Sequence, residues 1–362
     1  MVLPIDLSKF QKATMKTALN ASFGFSDPDT WISTGSYALN YLISSDFNKG
    51  IPLGKVSIIS GEPASGKSFV ASGNVVKNAQ DMGIFVVLID TERALDEEWL
   101  RALGVDTSPE KLLKVNMAMV DDVARLVSDF MKMYKEEIKD KPQDQIQQVL
   151  IVLDSLGMLL TPTDVQQFEA GDMKGDMGRK PKALAALIRN CVNLLGSHAV
   201  GLLCTNHVYA SQDRFHPDNV ISGGSMQVYA ASILVEMQKY KLKEDEDGNK
   251  TTTVQGIRAK AKVQKSRFSK PFEEIEVRIT WEKGLDPYSG LIDLFEGKGL
   301  LAKDGNKLKY TDLSNVEHKY FRKNIPESLL DLMMNEFEQQ EDSRRTLNLM
   351  GSTEEKKETV DE

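Results

Sequence analysis

The stretch KVSIISGEPASGKSFVASGNVVKNAQ (55–80) decides the fold. Its opening, KVSIIS (55–60), is a short, β-branched, nearly continuous apolar run, the signature of a strand buried on both faces. From Lys67 to Asp81 the chain has helical length and periodicity. Between the two, GEPASGKS (61–68) satisfies G-x-x-x-x-G-K-[ST] in the strand-to-helix context that gives this pattern its meaning. Gly61 and Gly66 permit the turn, so backbone N–H groups at a helix N-terminus can cradle phosphates. Glu62, Pro63, Ala64 and Ser65 complete the loop, and Phe69 follows it into the helix. Lys67 is expected to reach the β- and γ-phosphates, and the Ser68 hydroxyl to hold Mg²⁺. The bland alternative is a glycine-rich turn with no ligand, which this context makes rare. ATP and Mg²⁺ are therefore the expected cofactors.

Working outward, IFVVLID (84–90), VLIVLD (149–154) and AVGLLCTN (199–206) repeat the buried-strand pattern, and 94–104, 119–138 and 180–196 read as helices. The expected fold is α/β, a P-loop ATPase core whose central sheet is mostly parallel and covered by helices. Beyond 230 the pattern changes. ASILVEMQKYK (231–241) and GIRAKAKVQKS (256–266) flank the turn-forming EDEDGNKT and read as an antiparallel hairpin. EEIEVRITWEKG (273–284) alternates, with Ile275, Val277, Ile279 and Trp281 on one face, as a half-exposed antiparallel strand does.

The ends differ from the core. Residues 1–23 have the spacing of an amphipathic helix (Leu7, Phe10, Met15, Leu19, Phe23), and FSDPDTW (25–31) is a turn-rich linker. The expected division is a segment 1–30 that docks on another subunit, a core 31–300, a small and partly helical C-terminal region 301–345, and a disordered acidic tail 346–362. The chain has 45 bases against 53 acids, 45 − 53 = −8, which argues against a simple cationic sleeve for nucleic acid. Residues 336–362 hold nine acids and four bases, 4 − 9 = −5, so most of the excess lies there. A hydrophobic share of 41% and a charged share of 27% exclude a wholly disordered, collagenous or coiled-coil chain. Two cysteines, Cys191 and Cys204, make no disulfide framework and fit a reducing compartment. Asp6 and Lys9 interrupt any secretory h-region, and Asp154 interrupts the most apolar run, so a cytoplasmic protein without a membrane span is expected.

Asp154, ending VLIVLD, is the expected second Mg²⁺ contact, made through water. Hydrolysis also needs a carboxylate to orient the attacking water. Many ATPases place Glu directly after that Asp; here Ser155 follows, and the available carboxylate is Glu92, at the end of the neighbouring strand. The alternative for Glu92 is a first-turn acid of the helix that follows.

With WISTGSYALNYLI (31–43), GEPASGKS, LIDTERALDEEWLRALGVD (88–106), VLDSLGMLLTP (152–162), VQKSRFSKPF (263–272) and GLDPYSGLIDL (284–294) in this order, the chain resembles the RecA recombinases, most closely the UvsX-type branch of T-even-like bacteriophages. The resemblance runs from about residue 30 to 300. It implies that Glu92 is the catalytic glutamate, that Asp96 and Trp99 hold adenine, and that Tyr288 belongs to a segment closing over the nucleotide. It further implies that Lys265 and Arg267 reach the γ-phosphate from the neighbouring subunit, and that His207 replaces a γ-phosphate-sensing glutamine. A zinc site at Cys204 and His207 lacks a second ligand pair.

The resemblance also implies two DNA-binding loops, near 165–180 and 208–226. The first offers Lys174, Gly175, Gly178, Arg179 and Lys180; the second offers Arg214, Phe215, Gly223 and Gly224. Cations would contact phosphates and apolar side chains would wedge between bases, without sequence readout. The implied function is a DNA-dependent ATPase that forms helical filaments on single-stranded DNA and exchanges strands with duplex DNA in recombination, repair and recombination-dependent replication. A mediator (loader) protein and a single-strand DNA-binding protein are its implied partners, in the host cytoplasm if the gene is a phage's. The alternative is a ring-forming ATPase on the same core, a helicase or a clock-type autokinase. Against these stand the 60 residues before the loop, too few for a separate helicase domain, and Thr91–Glu92 where the kinases carry paired glutamates.

Overall fold

The computed structural model describes residues 26–171, 178–196, 198–209, 220–222, 224, 229–244 and 250–358. The expected helix at 1–23 lies outside them.

The apolar runs become strands β1 (Val56–Gly61), β2 (Phe85–Asp90), β3 (Leu112–Asn116), β4 (Val149–Asp154) and β5 (Val200–Tyr209). They are followed by β6 (Val220–Ile221), β7 (Ile233–Leu242), β8 (Gly256–Ser266), β9 (Glu274–Thr280) and β10 (Gly284–Leu285). One sheet joins them in the order β10-β9-β8-β7-β1-β5-β4-β2-β3, with β6 folded back on the end of β5. The six strands from β7 to β3 run parallel, and β8, β9 and β10 extend the sheet antiparallel. Strand β7 thus pairs on both sides, hairpin partner to β8 and parallel neighbour of β1.

Helices cover both faces, which is why the parallel strands carry no polar face. Ile59, Val86, Leu88, Leu150, Val152 and Leu203 turn to one face and pack with Val70, Ala71, Val75 and Val76 of the helix after β1. That helix is a π-turn segment, Phe69–Val75, running into α2 (Val76–Asp81); α1 (Tyr37–Ser44) precedes it in the chain. Ile58, Val87, Ile89, Ile151, Leu153 and Leu202 turn to the other face, beneath α4 (Val120–Ile138) and α6 (Arg179–Leu195). In the chain α3 (Glu97–Ala102) precedes α4, and α5 (Pro162–Glu169) lies between α4 and α6.

Four elements depart from the sequence reading. Strand β3 was not expected: it is an edge strand of five residues with Leu113 exposed, so it lacks a continuous apolar run. The helix expected over 94–104 is shortened to Glu97–Ala102, because Asp90 draws the N–H groups of residues 92, 94 and 95 into a turn. Helix α5 begins ahead of the expected first loop and runs into it as far as Glu169, fixed by a capping box between Thr161 and Asp164 with Pro162 at its first turn. The tail expected to be disordered continues α8 as far as Glu358 (Glu327–Glu358), a run rich in Glu, Leu and Met with no proline.

Residues after 300 form a small antiparallel sheet, β11 (Ala302–Asp304), β12 (Lys307–Thr311) and β13 (Glu317–Tyr320), ahead of α7's sequel α8; α7 itself is Leu291–Gly297. This region is not a separate body. Leu308, Tyr310, Leu329, Leu330, Met333 and Phe337 join the core cluster of the α2 face.

Candidate active site

Parallel strands put their carboxyl ends on one side, so β1, β2, β4 and β5 deliver Gly61, Asp90, Asp154 and His207 to one edge of the sheet. Register completes the placement: Gly61 is level with His207, and Asp90 with Asp154. Ligands bind in such a crevice.

The phosphate loop makes its turn with Ala64 at φ 59° and Gly66 at φ 92°. A Cβ on Gly61 would stand 2.2 Å from the Met237 carbonyl oxygen, so the loop can lie against β7 only with glycine there. Lys239 on β7 donates to the Pro63 carbonyl at 2.5 Å and braces the loop from outside. Lys67 is buried and donates to the Glu62 carbonyl at 2.7 Å. Burial pushes its ammonium below the ordinary lysine value, and Asp154 and Glu92 pull it partly back. Ser65 Oγ is buried with no partner among the described residues, a group that a phosphate oxygen would satisfy. Glycine turn, buried ammonium and orphaned hydroxyl together fit a nucleoside triphosphate.

Asp154 is buried and held from both sides: Ser72 Oγ donates to Oδ2 at 2.7 Å, and Thr205 Oγ1 donates to Oδ1. A carboxylate fixed this way, held by a serine that lies one helical turn after Ser68, fits a Mg²⁺ contact made through water. Sequence reading missed Ser72 and Thr205, whose only signal was a hydroxyl inside an apolar run.

Glu92 leaves the end of β2 and meets two groups at once. Its Oε1 lies 2.8 Å from Ser155 Oγ and 3.0 Å from His207 Nε2. The Glu92 side chain caps no helix; Asp96 does, accepting the Trp99 N–H at 2.9 Å. Trp99 stands edge-on to Phe69 at 6.3 Å, and a Cβ on Gly284 would touch the Phe69 ring at 3.1 Å. Trp99 and Phe69 thus form an aromatic wall beside the loop. Tyr288 is engaged elsewhere, against Tyr37 at 5.2 Å and donating to Asp331 Oδ1 at 3.1 Å. Burial, with Asp331 beside it, pushes its hydroxyl up to about 12.

Lys265 and Arg267 are not brought to this edge. Lys265 pairs with Leu234 and through it stands level with Ile58, three residues before Gly61. Its ammonium donates to the Tyr229 carbonyl at 2.7 Å, ahead of the start of β7, so it points away from the loop. Burial and the nearby Arg267 lower its ordinary value.

Of the expected DNA contacts, Lys174, Gly175, Arg214, Phe215 and Gly223 lie outside the described residues. Arg179 and Lys180 open helix α6 rather than lying in a loop, after Gly178 at φ 85°. The second segment begins as β5 runs on through Tyr209 and pairs back with β6. That pairing brings Gly224 over Pro181, whose Cβ would be 3.5 Å from a Cβ at 224, so the two segments meet. Among the described residues no helix is long and apolar enough to cross a membrane, and no cluster of three His, Cys, Asp or Glu could hold a metal alone.

Protein comparisons agree with this geometry. A family model described as the RecA N-terminal domain matches residues 9–286. Protein RecA of Mycobacteroides abscessus is 28% identical over 284 residues, covering 78% of this chain and 75% of that protein. Protein RecA of Salinispora tropica is 29% identical over 280 residues, covering 76% and 72%. The matched span takes in the phosphate loop, both carboxylates and the whole parallel sheet, and on that ground the chain belongs to the RecA family, the ATPases of DNA recombination and repair.

Proposed function

We propose that this chain is a DNA-dependent ATPase that polymerises as a helical filament on single-stranded DNA and catalyses pairing and strand exchange with duplex. We place it in the UvsX-type branch of T-even-like phages, acting in the host cytoplasm in recombination, repair and recombination-dependent replication, aided by a loader and a single-strand DNA-binding protein. The observation that carries the reading is Glu92, set between Ser155 and His207 at the sheet edge that also presents Lys67 and Asp154. The histidine at 207 supports the phage branch, since the resemblance matches it to a histidine of that branch.

In this reading Lys67 leaves the Glu62 carbonyl to meet the β- and γ-phosphates, and the Ser65 hydroxyl gains its partner there. Ser68 and Asp154 hold Mg²⁺, which supplies charge neutralisation at the phosphates. Phe69, Trp99 and Asp96 flank the base, and Tyr288 lies on the segment that closes over it. Glu92 orients the attacking water through its second oxygen, with Oε1 already engaged. His207 connects the site to the second DNA segment, since its carbonyl accepts the Ser222 N–H at 2.9 Å. Arg179, Lys180 and Gly224, with Lys174, Gly175, Arg214, Phe215 and Gly223, line the DNA path. Lys265, whose ammonium points away from its own loop, and Arg267 complete a neighbour's site.

The test is Glu92→Gln. It should bind ATP and single-stranded DNA with turnover reduced about 10²-fold or more, because the water loses its carboxylate while the phosphate cradle stays. A variant keeping more than about a tenth of wild-type kcat would move the catalytic role elsewhere.

A further inference from the structure

We infer that Ser155 is the positioning residue for Glu92: its hydroxyl and His207 Nε2 form a two-donor bracket on one carboxylate oxygen. This rests on Glu92 being the water-orienting group. Glu92 Oε1, Ser155 Oγ and His207 Nε2 stand within 2.8, 3.0 and 3.1 Å of one another. A carboxylate oxygen only accepts, so Nε2 at 3.0 Å must carry a hydrogen. Once Nε2 is a donor it cannot accept the Ser155 O–H, and that hydroxyl turns to Glu92 as well. Both hydrogens converge on Oε1, and Oε2 is left for water.

The bracket is rigid on the serine side. The Ser155 N–H donates to Thr91 Oγ1 at 2.8 Å, and the Thr91 hydroxyl donates to the Ser155 carbonyl at 2.8 Å. The Thr91 N–H donates to the Asp154 carbonyl at 2.8 Å. Ser155 is 1% exposed, whereas the Glu92 side chain is 34% exposed and would swing freely without a partner. Asp90 and Asp154 are level in adjacent parallel strands, so the residues that follow them emerge side by side. A hydroxyl directly after Asp154 therefore does from one strand what fixes a carboxylate delivered by the next.

A double-mutant cycle in the full-length protein, with ATP and single-stranded DNA, tests this. Ser155→Ala should lower kcat about tenfold, the scale of one hydrogen bond to a charged group, and change KM for ATP by less than about twofold. In the Glu92→Gln background the same change should cost nothing further, because the bracket then holds no working carboxylate. Full kcat in Ser155→Ala, or an equal loss in both backgrounds, overturns the inference and makes Ser155 structural. If Glu92→Gln itself keeps its turnover, the reading of Glu92 fails instead, and is recognised separately. Should Ser155→Ala not fold, Thr91→Val removes the hydroxyl that pins the Ser155 backbone. It should give a smaller kcat loss that again vanishes beside Glu92→Gln, and persistence of that loss there overturns the inference.

Discussion

Asp90 shows how a buried carboxylate shapes the turn that carries a neighbouring site residue, here Glu92. Its carboxylate is 1% exposed and accepts the N–H groups of Glu92 at 3.1 Å, Ala94 at 3.3 Å and Leu95 at 3.0 Å, with the Lys114 ammonium at 3.1 Å. Burial pushes this carboxyl up, but the Leu95 N–H, Lys114 and the Ala94 N–H outweigh it and hold it below the ordinary carboxylate range. Asp90→Asn should cost about 1–3 kcal/mol in urea unfolding at pH 7, the scale of hydrogen bonds lost from a buried charged group. It should also slow ATP turnover, because the turn that aims Glu92 loosens. Since the folded-state value is depressed, the stabilisation is present above the unfolded value and disappears as pH falls through the folded one. The gap between wild type and variant should therefore be constant near neutrality and close below about pH 4. The sequence showed LIDTE as a strand end with two acids. It could not show which acid faces inward, because both sit within reach of the same turn and only burial separates them. The cysteines are simpler: burial pushes Cys191 up to about 12 and raises Cys204 well above the ordinary thiol value, which disfavours the reactive thiolate at both.

Among the elements, the C-terminal helix α8 contributes most that its sequence did not announce. Phe337 is 4% exposed and packs against Tyr41, Phe47 and Phe295, with centroids 5.5, 6.3 and 6.4 Å away. Glu336 is buried too: the Tyr310 hydroxyl and the Leu313 N–H donate to it, and the Phe47 N–H donates to Glu338 at 3.0 Å. Phe337→Ala should destabilise the protein by about 3–5 kcal/mol, read from the unfolding midpoint in urea at unchanged slope. Two of the acids counted in the C-terminal excess are thus tied into the core, and a truncation meant to remove the tail's charge must begin well beyond them. The strands β1, β2 and β4 were legible because a strand buried on both faces leaves an unbroken apolar run. Strand β3 and helix α5 were not, since an exposed edge and an eight-residue helix without a buried residue leave no such run.

At the scale of the whole molecule, the sheet separates the phosphate loop from the cations proposed to act on a neighbour's nucleotide. The phosphate loop lies past the end of β1, while the Lys265 ammonium turns towards its start, about 10 Å back along the strand at 3.3 Å per residue. Lys55 and Lys265 both lie near Arg267, and burial together with that neighbouring cation holds each ammonium below the ordinary lysine value. A Lys265→Ala subunit keeps its loop, and a Lys67→Ala subunit keeps its cations. Mixed on DNA they should recover part of the ATPase activity that each lacks alone; no recovery in filaments shown to be mixed would overturn the trans assignment. The sequence by itself determined the α/β core, the phosphate loop and the candidate carboxylates, because local periodicity and glycine spacing are properties of contiguous residues. Only the tertiary structure decided that Ser155 and His207 close on Glu92, that Asp90 aims it, and that Lys265 faces the other way. Those relations depend on strand order and register, which bring together residues 52 to 115 positions apart and leave no mark on any short stretch of chain.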